Sequence, residues 1–255
     1  MAQFIPNLAG KAVLVTGAGV GIGRSIALGA SAAGATVGVH YAHSQDGAKA
    51  VVSEIAARGG KAHPLQGDLT RKADAERVVK EFCARAGRLD GLVNNAGGLV
   101  ERSMIADLDM ALLHRLVAVN VETALLTSQA ALPHLREAGG GSVVNITSIA
   151  SFQAVSSAAH YAAAKAMLTS FTRSMAVEWA GDNIRVNAVA PGVILTRFHQ
   201  IHSSAQRLDQ MLASTPMGRH GEPDEVAGAV VYLLSDASGF VTGANLDVNG
   251  GRLIP

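Results

Sequence analysis

The chain has 255 residues and a formal net charge of +1; 49% of its residues are apolar and only 16% are charged. This length suits one large α/β domain spanning residues 1–255, and the apolar composition favours a sheet that is buried on both faces. A charge so close to neutral argues against nucleic-acid binding. The amino terminus has no basic segment, and the sequence shows no recognisable signal peptide or membrane span. We therefore expect a cytoplasmic protein with no membrane partner.

A glycine-rich turn follows the first predicted strand, at residues 11–16. The turn contains Gly17, Gly19, Val20, Gly21, Ile22 and Gly23, and an alanine-rich helix comes next. Glycines let the backbone approach a ligand closely, and the free N–H groups at a helix amino terminus favour an anion. The spacing matches neither the usual G-x-G-x-x-G pattern nor a Walker loop. So many glycines exceed what a plain strand–helix turn needs, which favours a dinucleotide site.

Strands and helices alternate along the rest of the chain. Further strands are predicted at 36–41, 62–66, 91–94, 143–149, 185–190 and 244–248. The most distinct helical patterns are at 107–137 and 158–180, whereas the segment at 193–220 has no firm periodicity and is predicted to be a long substrate loop with broken helix. The alternation predicts a Rossmann-type, doubly wound parallel sheet of about seven strands, with helices on both faces and right-handed crossovers.

Ser148, Tyr161 and Lys165 form the most informative group of polar residues. Tyr161 and Lys165 are four residues apart, so they share one face of the predicted helix at 158–180. An ammonium beside a phenol favours the phenolate and lowers the phenol's pKa from its usual value of about 10. Ser148, at a strand end, can offer a hydroxyl to the same point. Together they predict a site that moves a proton to or from an oxygen on carbon, although each short motif is common in unrelated proteins.

In combination, these motifs resemble those of the classical short-chain dehydrogenases/reductases over essentially the whole chain. The matching segments, in the order typical of that family, are Thr16 to Gly23, Asp68, Asn94-Asn-Ala-Gly97, Asn120, Ser148, Tyr161-x-x-x-Lys165, Pro191-Gly192 and Thr242-Gly. Within the family, the chain is most similar to the branch of 3-oxoacyl reductases and related carbonyl reductases. The resemblance implies an NAD(P)-dependent oxidoreductase that interconverts a carbonyl and a secondary alcohol by hydride transfer.

The resemblance also implies roles for individual residues. Tyr161 would donate the proton in reduction and accept it in oxidation, and Ser148 would hydrogen-bond the substrate oxygen. Lys165 would lower the pKa of Tyr161 and hold the nicotinamide ribose. Asn120 would kink its helix and anchor a water that passes protons to Lys165. Asp68 and Asn95 would flank the adenosine half, and Pro191, Ile194 and Thr196 would contact the nicotinamide amide and phosphates. The remaining predicted cofactor contacts are Leu69, Ala96, Gly97 and Gly192.

The substrate pocket is predicted to be mostly apolar, with few charges to hold an acidic group. Its candidate lining is Ser148, Phe152, Gln153, Val155, Phe198, Ile201 and His202, although ordinary loop packing explains the loop residues equally well. Asp107 and Asp109 stand where carrier-protein reductases of this branch often have basic residues, and they would repel an acidic carrier. Arg102 and Arg115 leave that point open. We therefore expect a small free carbonyl or alcohol, or a thioester that no carrier presents.

The end of the second strand bears on the choice between NAD and NADP. It lacks the acid that grips a ribose diol in folds of this type, and His40, His43 and Ser44 could donate to a 2′-phosphate. Against this, Val20 stands where many NADP-preferring relatives have a basic residue. The missing acid is the stronger point, so we predict a preference for NADP(H), with NAD(H) possible and with His40 and Tyr41 among the cofactor contacts.

Other functions and assemblies are also open from the sequence. A dinucleotide-binding regulatory protein without turnover, an isomerase or dehydratase that uses bound cofactor, and a carrier-protein-dependent 3-oxoacyl reductase are the alternatives; the intact Ser148, Tyr161, Lys165 and Asn120 disfavour the first. No metal site is predicted, because His199 and His202 lie in a loop without a nearby carboxylate pair or cysteine. The resemblance implies a homotetramer that uses the helices at 107–137 and 158–180.

Overall fold

The computed structural model describes residues 5–254, apart from the side chains of Arg197, His199 and Gln200. Its strands are β1 (Ala12–Val15), β2 (Thr36–Tyr41), β3 (Lys61–Gln66), β4 (Gly91–Asn94), β5 (Gly141–Ile146), β6 (Ile184–Pro191) and β7 (Asn245–Val248). They form one sheet in the order β3-β2-β1-β4-β5-β6-β7, and all neighbouring pairs are parallel. The predicted doubly wound parallel sheet is therefore confirmed.

Helices cover both faces of this sheet. They are α1 (Gly21–Ala32), α2 (Gln45–Ala57), α3 (Lys72–Ala86), α4 (Met110–Val117), α5 (Thr123–Glu137), α6 (Ala159–Trp179), α7 (Arg197–His202), α8 (Ala205–Ala213) and α9 (Pro223–Leu234). The cluster of buried side chains on one face includes α1, α2 and α9, and the cluster on the other face includes α3, α5 and α6.

Strand β1 shows why the sequence forms a layered fold. All of its residues are buried, because side chains alternate between the two covered faces of a parallel sheet. Val13 and Val15 pack in the cluster with α1 and α9, while Ala12 and Leu14 pack in the opposite cluster. A continuous apolar run of this kind, without polar alternation, fixes β1 at the centre of the sheet.

Two predicted segments each contain more than one helix. The pattern at 107–137 is not one regular helix, because α4 and α5 are joined by a π-helical turn at Ala118–Glu122 that contains Asn120. The segment at 193–220, predicted to be a long loop with broken helix, contains the short helices α7 and α8. Ser44 is the N-cap residue of α2, but its side chain makes no capping hydrogen bond.

One helical segment, Met110–Glu137, is long and apolar enough by length and composition to cross a membrane, with 28 residues and a mean hydropathy of 1.3. In the fold, this segment packs against α3, α6 and strand β4. A helix that covers the core of a sheet passes the same compositional test, so the segment is weak evidence for a membrane span.

The carboxyl ends of the parallel strands meet at one edge of the sheet. Tyr41, Asn94 and Pro191 close their strands there, and Ser148 follows β5 by two residues. The strand order reverses between β1 and β4, and ligands bind to open α/β sheets at such a reversal. The fold thereby gathers the sequence motifs along one edge.

Candidate active site

One cleft of about 550 Å³ runs along this edge, within the range of roughly 300–1,000 Å³ typical of ligand sites. The glycine turn and the end of β2 line one part of it, and Ser148, Tyr161 and Lys165 line another. The loop after β6 and helices α7 and α8 complete the wall. The cleft therefore joins the predicted nucleotide site to the predicted catalytic group.

The glycine turn has the geometry of an anion cradle. Gly17 and Gly21 adopt left-handed backbone conformations, with φ of 62° and 56°, which glycine tolerates best. A Cβ on Gly23 would lie 2.3 Å from the carbonyl oxygen of Gly17, so no larger residue fits there without a backbone shift. Helix α1 begins directly at this turn, and Val20 at its N-cap offers no side-chain acceptor. The first-turn N–H groups are thus left for an anion such as a dinucleotide pyrophosphate, and the residues present fit that group.

Asn95 and Thr16 tie the glycine turn to the turn after β4. The Thr16 hydroxyl accepts hydrogen bonds from the backbone N–H groups of Asn95 (2.9 Å) and Ala96 (3.0 Å). The Asn95 side-chain amide donates to the carbonyl oxygens of Thr16 (2.9 Å) and Gly17 (3.1 Å). Asn95, Ala96 and Gly97 all line the cleft. The Asn95 amide therefore holds the glycine turn in place, because its N–H groups donate to that turn and not to a ligand.

His40 is not available as a donor to a phosphate, contrary to the sequence-based prediction. Its side chain is buried; the Nδ1 atom accepts a hydrogen bond from Gly17 N–H at 3.2 Å, and Nε2 lies 3.1 Å from the carbonyl oxygen of Gly67. Burial lowers the pKa of His40 to about 4, so the ring is neutral near pH 7. Tyr41 and Ser44 do line the cleft, and among the described residues no acid lines this part of it.

Asp68 and Leu69, predicted to contact the cofactor, are not among the residues that line the cleft. The Asp68 carboxylate accepts hydrogen bonds from the Thr70 backbone N–H (3.1 Å) and hydroxyl (2.7 Å). The Leu69 side chain is buried in the hydrophobic core. Local turn geometry therefore accounts for Asp68, and core packing accounts for Leu69.

Ser148 and Tyr161 meet at the catalytic part of the cleft, where their side-chain hydroxyls lie close together. Ser148 lies at the N-cap of a short 3₁₀ turn, Ile149–Phe152, and its Oγ accepts a hydrogen bond from Ala150 N–H at 3.1 Å. That contact fixes the serine side chain in one orientation. Two hydroxyls facing one point are the arrangement needed to hydrogen-bond a single substrate oxygen.

The pKa of Tyr161 is raised, whereas the sequence predicts that Lys165 lowers it. Burial raises the Tyr161 pKa to about 12, and the neighbouring Ser148 hydroxyl offsets only part of the increase. Lys165 lies 5.8 Å from the centre of the Tyr161 ring, but its Nζ donates to the carbonyl oxygen of Ile146 at 2.9 Å, and burial lowers the Lys165 pKa to about 8. Desolvation therefore dominates both shifts. Near pH 7, Tyr161 is a neutral phenol and Lys165 is still mostly charged.

Asn120 is fully buried behind this group. Its side-chain amide donates to the carbonyl oxygens of Gly98 (2.8 Å) and Leu116 (2.9 Å), and its Oδ1 accepts from Gly98 N–H (3.0 Å). A Cβ on Gly97 would lie 2.6 Å from Asn120 Oδ1 and 3.4 Å from Lys165 Nζ. Asn120 thus fixes the turn after β4 against the π-helical turn and next to Lys165. Both the nitrogen and the oxygen of its side-chain amide are used in these structural hydrogen bonds.

The segment after β6 closes the cleft opposite the glycine turn. Pro191 ends the strand, and Gly192 N–H donates to the Val248 carbonyl oxygen at 2.9 Å. A Cβ on Gly192 would lie 2.8 Å from the Asn249 backbone, so this approach requires glycine. Thr196 reaches the glycine turn, where its Cγ2 would lie 3.6 Å from a Cβ on Gly21. Pro191, Gly192, Ile194 and Thr196 all line the cleft.

The predicted substrate pocket is only partly correct. Ser148, Gln153, Val155 and Phe198 line the cleft, whereas Phe152, Ile201 and His202 do not. Phe152 ends the 3₁₀ turn with 41% of its surface exposed, and Ile201 is 64% exposed. The Phe198 ring packs 6.2 Å from the Tyr161 ring, measured between centroids, and the His202 ring lies 5.0 Å from the Phe198 ring at an interplanar angle of 55°. His202 therefore packs against Phe198 without lining the cleft itself.

The prediction of few charges near the substrate is wrong, because Arg102, Arg207 and Arg252 also line the cleft. Arg207 lies on α8, and Arg252 lies in the carboxyl-terminal segment. A single arginine in a polar helix or tail has no sequence signature that separates it from a solvated surface residue. Of these three arginines, only Arg102 was considered from the sequence, because it lies near the predicted turn after β4. Among residues whose side chains are described, which excludes His199, no group of acids, histidines and cysteines could hold a metal ion.

Comparisons with known proteins identify relatives along nearly the whole chain. The family model described as Enoyl-(Acyl carrier protein) reductase matches residues 17–252. An L-rhamnose 1-dehydrogenase (NAD(P)(+)) from Sphingomonas sp. is 38% identical over 249 residues, which cover 97% of this chain and 98% of the relative. A 3-oxoacyl-[acyl-carrier-protein] reductase from Staphylococcus epidermidis is 36% identical over 241 residues, covering 94% and 98% of the two chains.

A solved structure has the same architecture. It is a 7 alpha-hydroxysteroid dehydrogenase complexed with NADH and 7-oxo glycochenodeoxycholic acid, with a TM-score of 0.94, 36% sequence identity and 98% coverage of both chains. The names of these relatives refer to L-rhamnose, a 3-oxoacyl-[acyl-carrier-protein] and a 7 alpha-hydroxysteroid. They therefore agree on the class of reaction and differ in the substrate.

Proposed function

Because this chain belongs to the short-chain dehydrogenase/reductase family, we propose that Ser148, Tyr161 and Lys165 carry out its reaction. The chain is an NAD(P)-dependent oxidoreductase of the 3-oxoacyl reductase-like branch, and it interconverts a carbonyl and a secondary alcohol. The observation that supports these three residues is that Ser148, Tyr161 and Lys165 line the same cleft as the glycine turn. A regulatory protein without turnover would not need this arrangement.

The chain's own groups account for the proton and the charge in carbonyl reduction. A nicotinamide cofactor held by the glycine turn and the segment after β6 would supply hydride chemistry when bound. Tyr161, with a pKa of about 12, is a neutral phenol near pH 7 and donates its proton to the substrate oxygen, which completes the alcohol. Ser148 donates a second hydrogen bond to that oxygen as negative charge develops on it. The phenolate left on Tyr161 then lies beside the Lys165 amine, whose pKa of about 8 allows it to be charged or to pass a proton.

Replacement of the proposed proton donor tests this assignment. Tyr161→Phe keeps the ring that packs against Phe198, so the variant should fold and bind cofactor, and kcat should fall by about 10²–10⁴-fold. Tyr232→Phe, on α9 and away from the cleft, is the matched control and should keep wild-type turnover. Calorimetric titration with NADPH and NADH separates loss of binding from loss of chemistry. Wild-type kcat in the Tyr161→Phe variant would refute the assignment.

We also propose that the protein prefers NADP(H) over NAD(H). Among the described residues, no carboxylate lines the cleft at the end of β2, where an acid would repel a 2′-phosphate. The Ser44 hydroxyl is not used as a helix cap, and its oxygen would lie 2.5 Å from a Cβ on Gly19. It is therefore next to the glycine turn and is a candidate donor to that phosphate, in the place that the buried His40 ring cannot fill.

A substitution at Tyr41 tests the cofactor preference. Tyr41→Asp places a carboxylate at the end of β2 and should lower kcat/KM for NADPH while raising it for NADH. Tyr41→Asn removes the same ring without adding charge, so the difference between the two variants isolates the electrostatic effect. The measurement is kcat/KM for both cofactors in all three proteins. A wild-type enzyme that clearly prefers NADH would contradict the proposal.

For the substrate, we propose a small free molecule that no carrier protein presents. Asp107 and Asp109 are both exposed at the rim before α4, and the Asp109 carboxylate caps that helix by accepting a hydrogen bond from Ala111 N–H at 3.1 Å. Exposed acids at this rim disfavour an acidic carrier. We further propose that one domain carries the whole function, and that the protein works in the cytoplasm as a homotetramer.

A further inference from the structure

The charged side chains that line the cleft are all cationic in the described part of the chain. They are Arg102, Lys165, Arg207 and Arg252, and no aspartate or glutamate lines the cleft. Lys165 belongs to the catalytic group. Arg102, Arg207 and Arg252, here called the arginine cluster, have no part in the proton transfer described above and need a separate explanation.

Hydrogen bonds place Arg102 and Arg207 against the substrate side of the cleft. The Arg102 Nε donates to the His202 carbonyl oxygen at 2.8 Å, and His202 packs on Phe198, which in turn packs on Tyr161. Arg207 donates to the Ser156 carbonyl oxygen at 3.4 Å, in the segment that follows Ser148. These partners lie in the two loops that flank the catalytic hydroxyls. The phosphate cradle, by contrast, is the glycine turn.

The arginine cluster lacks counter-charges. Within residues 5–254, no carboxylate forms an ion pair with Arg102, Arg207 or Arg252. One terminal nitrogen of Arg252 is buried and has no hydrogen-bond partner there. Burial and then the charge of Arg207 lower the pKa of both Arg102 and Arg252. Like charges gathered in a half-buried cleft destabilise the fold, so their presence indicates that an anion binds among them.

We propose that the arginine cluster binds a carboxylate group of the substrate, and that the enzyme therefore acts on small oxo acids and hydroxy acids. A guanidinium binds a carboxylate through two parallel hydrogen bonds, and three guanidinium groups line the cleft. With the carboxylate held there, the carbonyl of the same molecule would reach Ser148 and Tyr161, which line the same cleft. The inference rests on the proposed function and adds the chemical class of the substrate to it.

The test is a panel of small ketones in matched forms. Each ketone is offered as the free acid, the methyl ester and the primary amide, with the carbonyl two to five carbons from the acid group. We expect at least one acid to exceed its own ester and amide in kcat/KM by about 10- to 100-fold, because a charged hydrogen-bonded pair contributes this much to binding. A phosphate ester, a coenzyme A thioester and a carrier-protein thioester form the remaining arms.

Variants connect the preference to the arginine cluster. Arg252→Gln and, independently, Arg207→Gln should raise KM for the acid by about 10-fold or more, with a smaller change in kcat, because a contact remote from the reacting carbon contributes mainly to binding. The values for the ester should not change. Arg252→Lys keeps the charge and should recover part of the loss. Arg58→Gln, an exposed arginine at the end of α2, is the matched control.

The outcomes separate the inference from the proposed function. Neutral ketones turned over as well as their acids, or an acid-to-ester ratio that both glutamine variants leave unchanged, would overturn the arginine-cluster inference while the oxidoreductase stands. Preference for the phosphate ester or for either thioester would also overturn it. Absence of turnover with every acid and every neutral ketone would count against both.

Discussion

Replacement of Asn120 by alanine tests whether this buried residue holds the active site together. The side chain is fully buried, and it makes three hydrogen bonds, two to Gly98 and one to the Leu116 carbonyl oxygen. Each such bond contributes about 1 kcal/mol to the free energy of unfolding. Asn120→Ala should therefore lower that free energy by about 3 kcal/mol, or Tm by about 6–12 °C for a chain of this size.

Thermal unfolding followed by circular dichroism measures this loss, and cofactor titration measures its consequence at the site. Because Gly98 belongs to the turn that lines the cleft, cofactor affinity should weaken along with stability. Lys80→Ala, an exposed change on α3, should stay within about 0.5 kcal/mol of wild type. A stable Asn120→Ala variant with normal cofactor affinity and lost turnover would refute the positioning role and point to a direct chemical one.

The remaining predictions concern acid stability and assembly. His40 has a pKa of about 4 in the folded chain against an ordinary value of 6.5, so the unfolded chain binds more protons between these values. The free energy of unfolding should therefore fall by up to about 3 kcal/mol as the pH drops from 6.5 to 4, and His40→Gln should remove this contribution in denaturant titrations. The homotetramer should appear in light scattering at micromolar concentration, and a purely monomeric mass would contradict it.

The fold was predictable from the sequence because its signals are local and repeated. Continuous apolar runs such as β1, each followed by small residues and a helical pattern, are typical of strands buried on both faces. The break at Asn120 was implied only by the family resemblance, because asparagine alone is a weak guide to helix geometry and its partner Gly98 lies 22 residues earlier in the chain. The bounds of the helices within 193–220 were not predictable, because α7 and α8 are short.

Only those parts of the site that lie on a single stretch of chain were predictable from the sequence. The glycine turn and the Tyr161–Lys165 pair each lie on a single stretch of chain, and the structure brings them to one cleft. The arginine cluster combines the turn after β4, helix α8 and the carboxyl-terminal segment, so no spacing in the sequence reveals it. His40 failed as a predicted phosphate donor for the same reason, since its partners Gly17 and Gly67 come from two other turns.

The pKa of Tyr161 shows how burial changes an argument made from spacing alone. A lysine four positions after a tyrosine predicts a stabilised phenolate, but that holds only if the lysine is charged and directed at the hydroxyl. Here Lys165, with a pKa of about 8, is mostly charged near pH 7, but its ammonium donates to the Ile146 carbonyl, and burial keeps Tyr161 neutral. A neutral phenol is the form that donates a proton, so this pair is already set for carbonyl reduction. Alcohol oxidation first requires loss of the Tyr161 proton, and its rate should therefore rise with pH more steeply than the rate of reduction does.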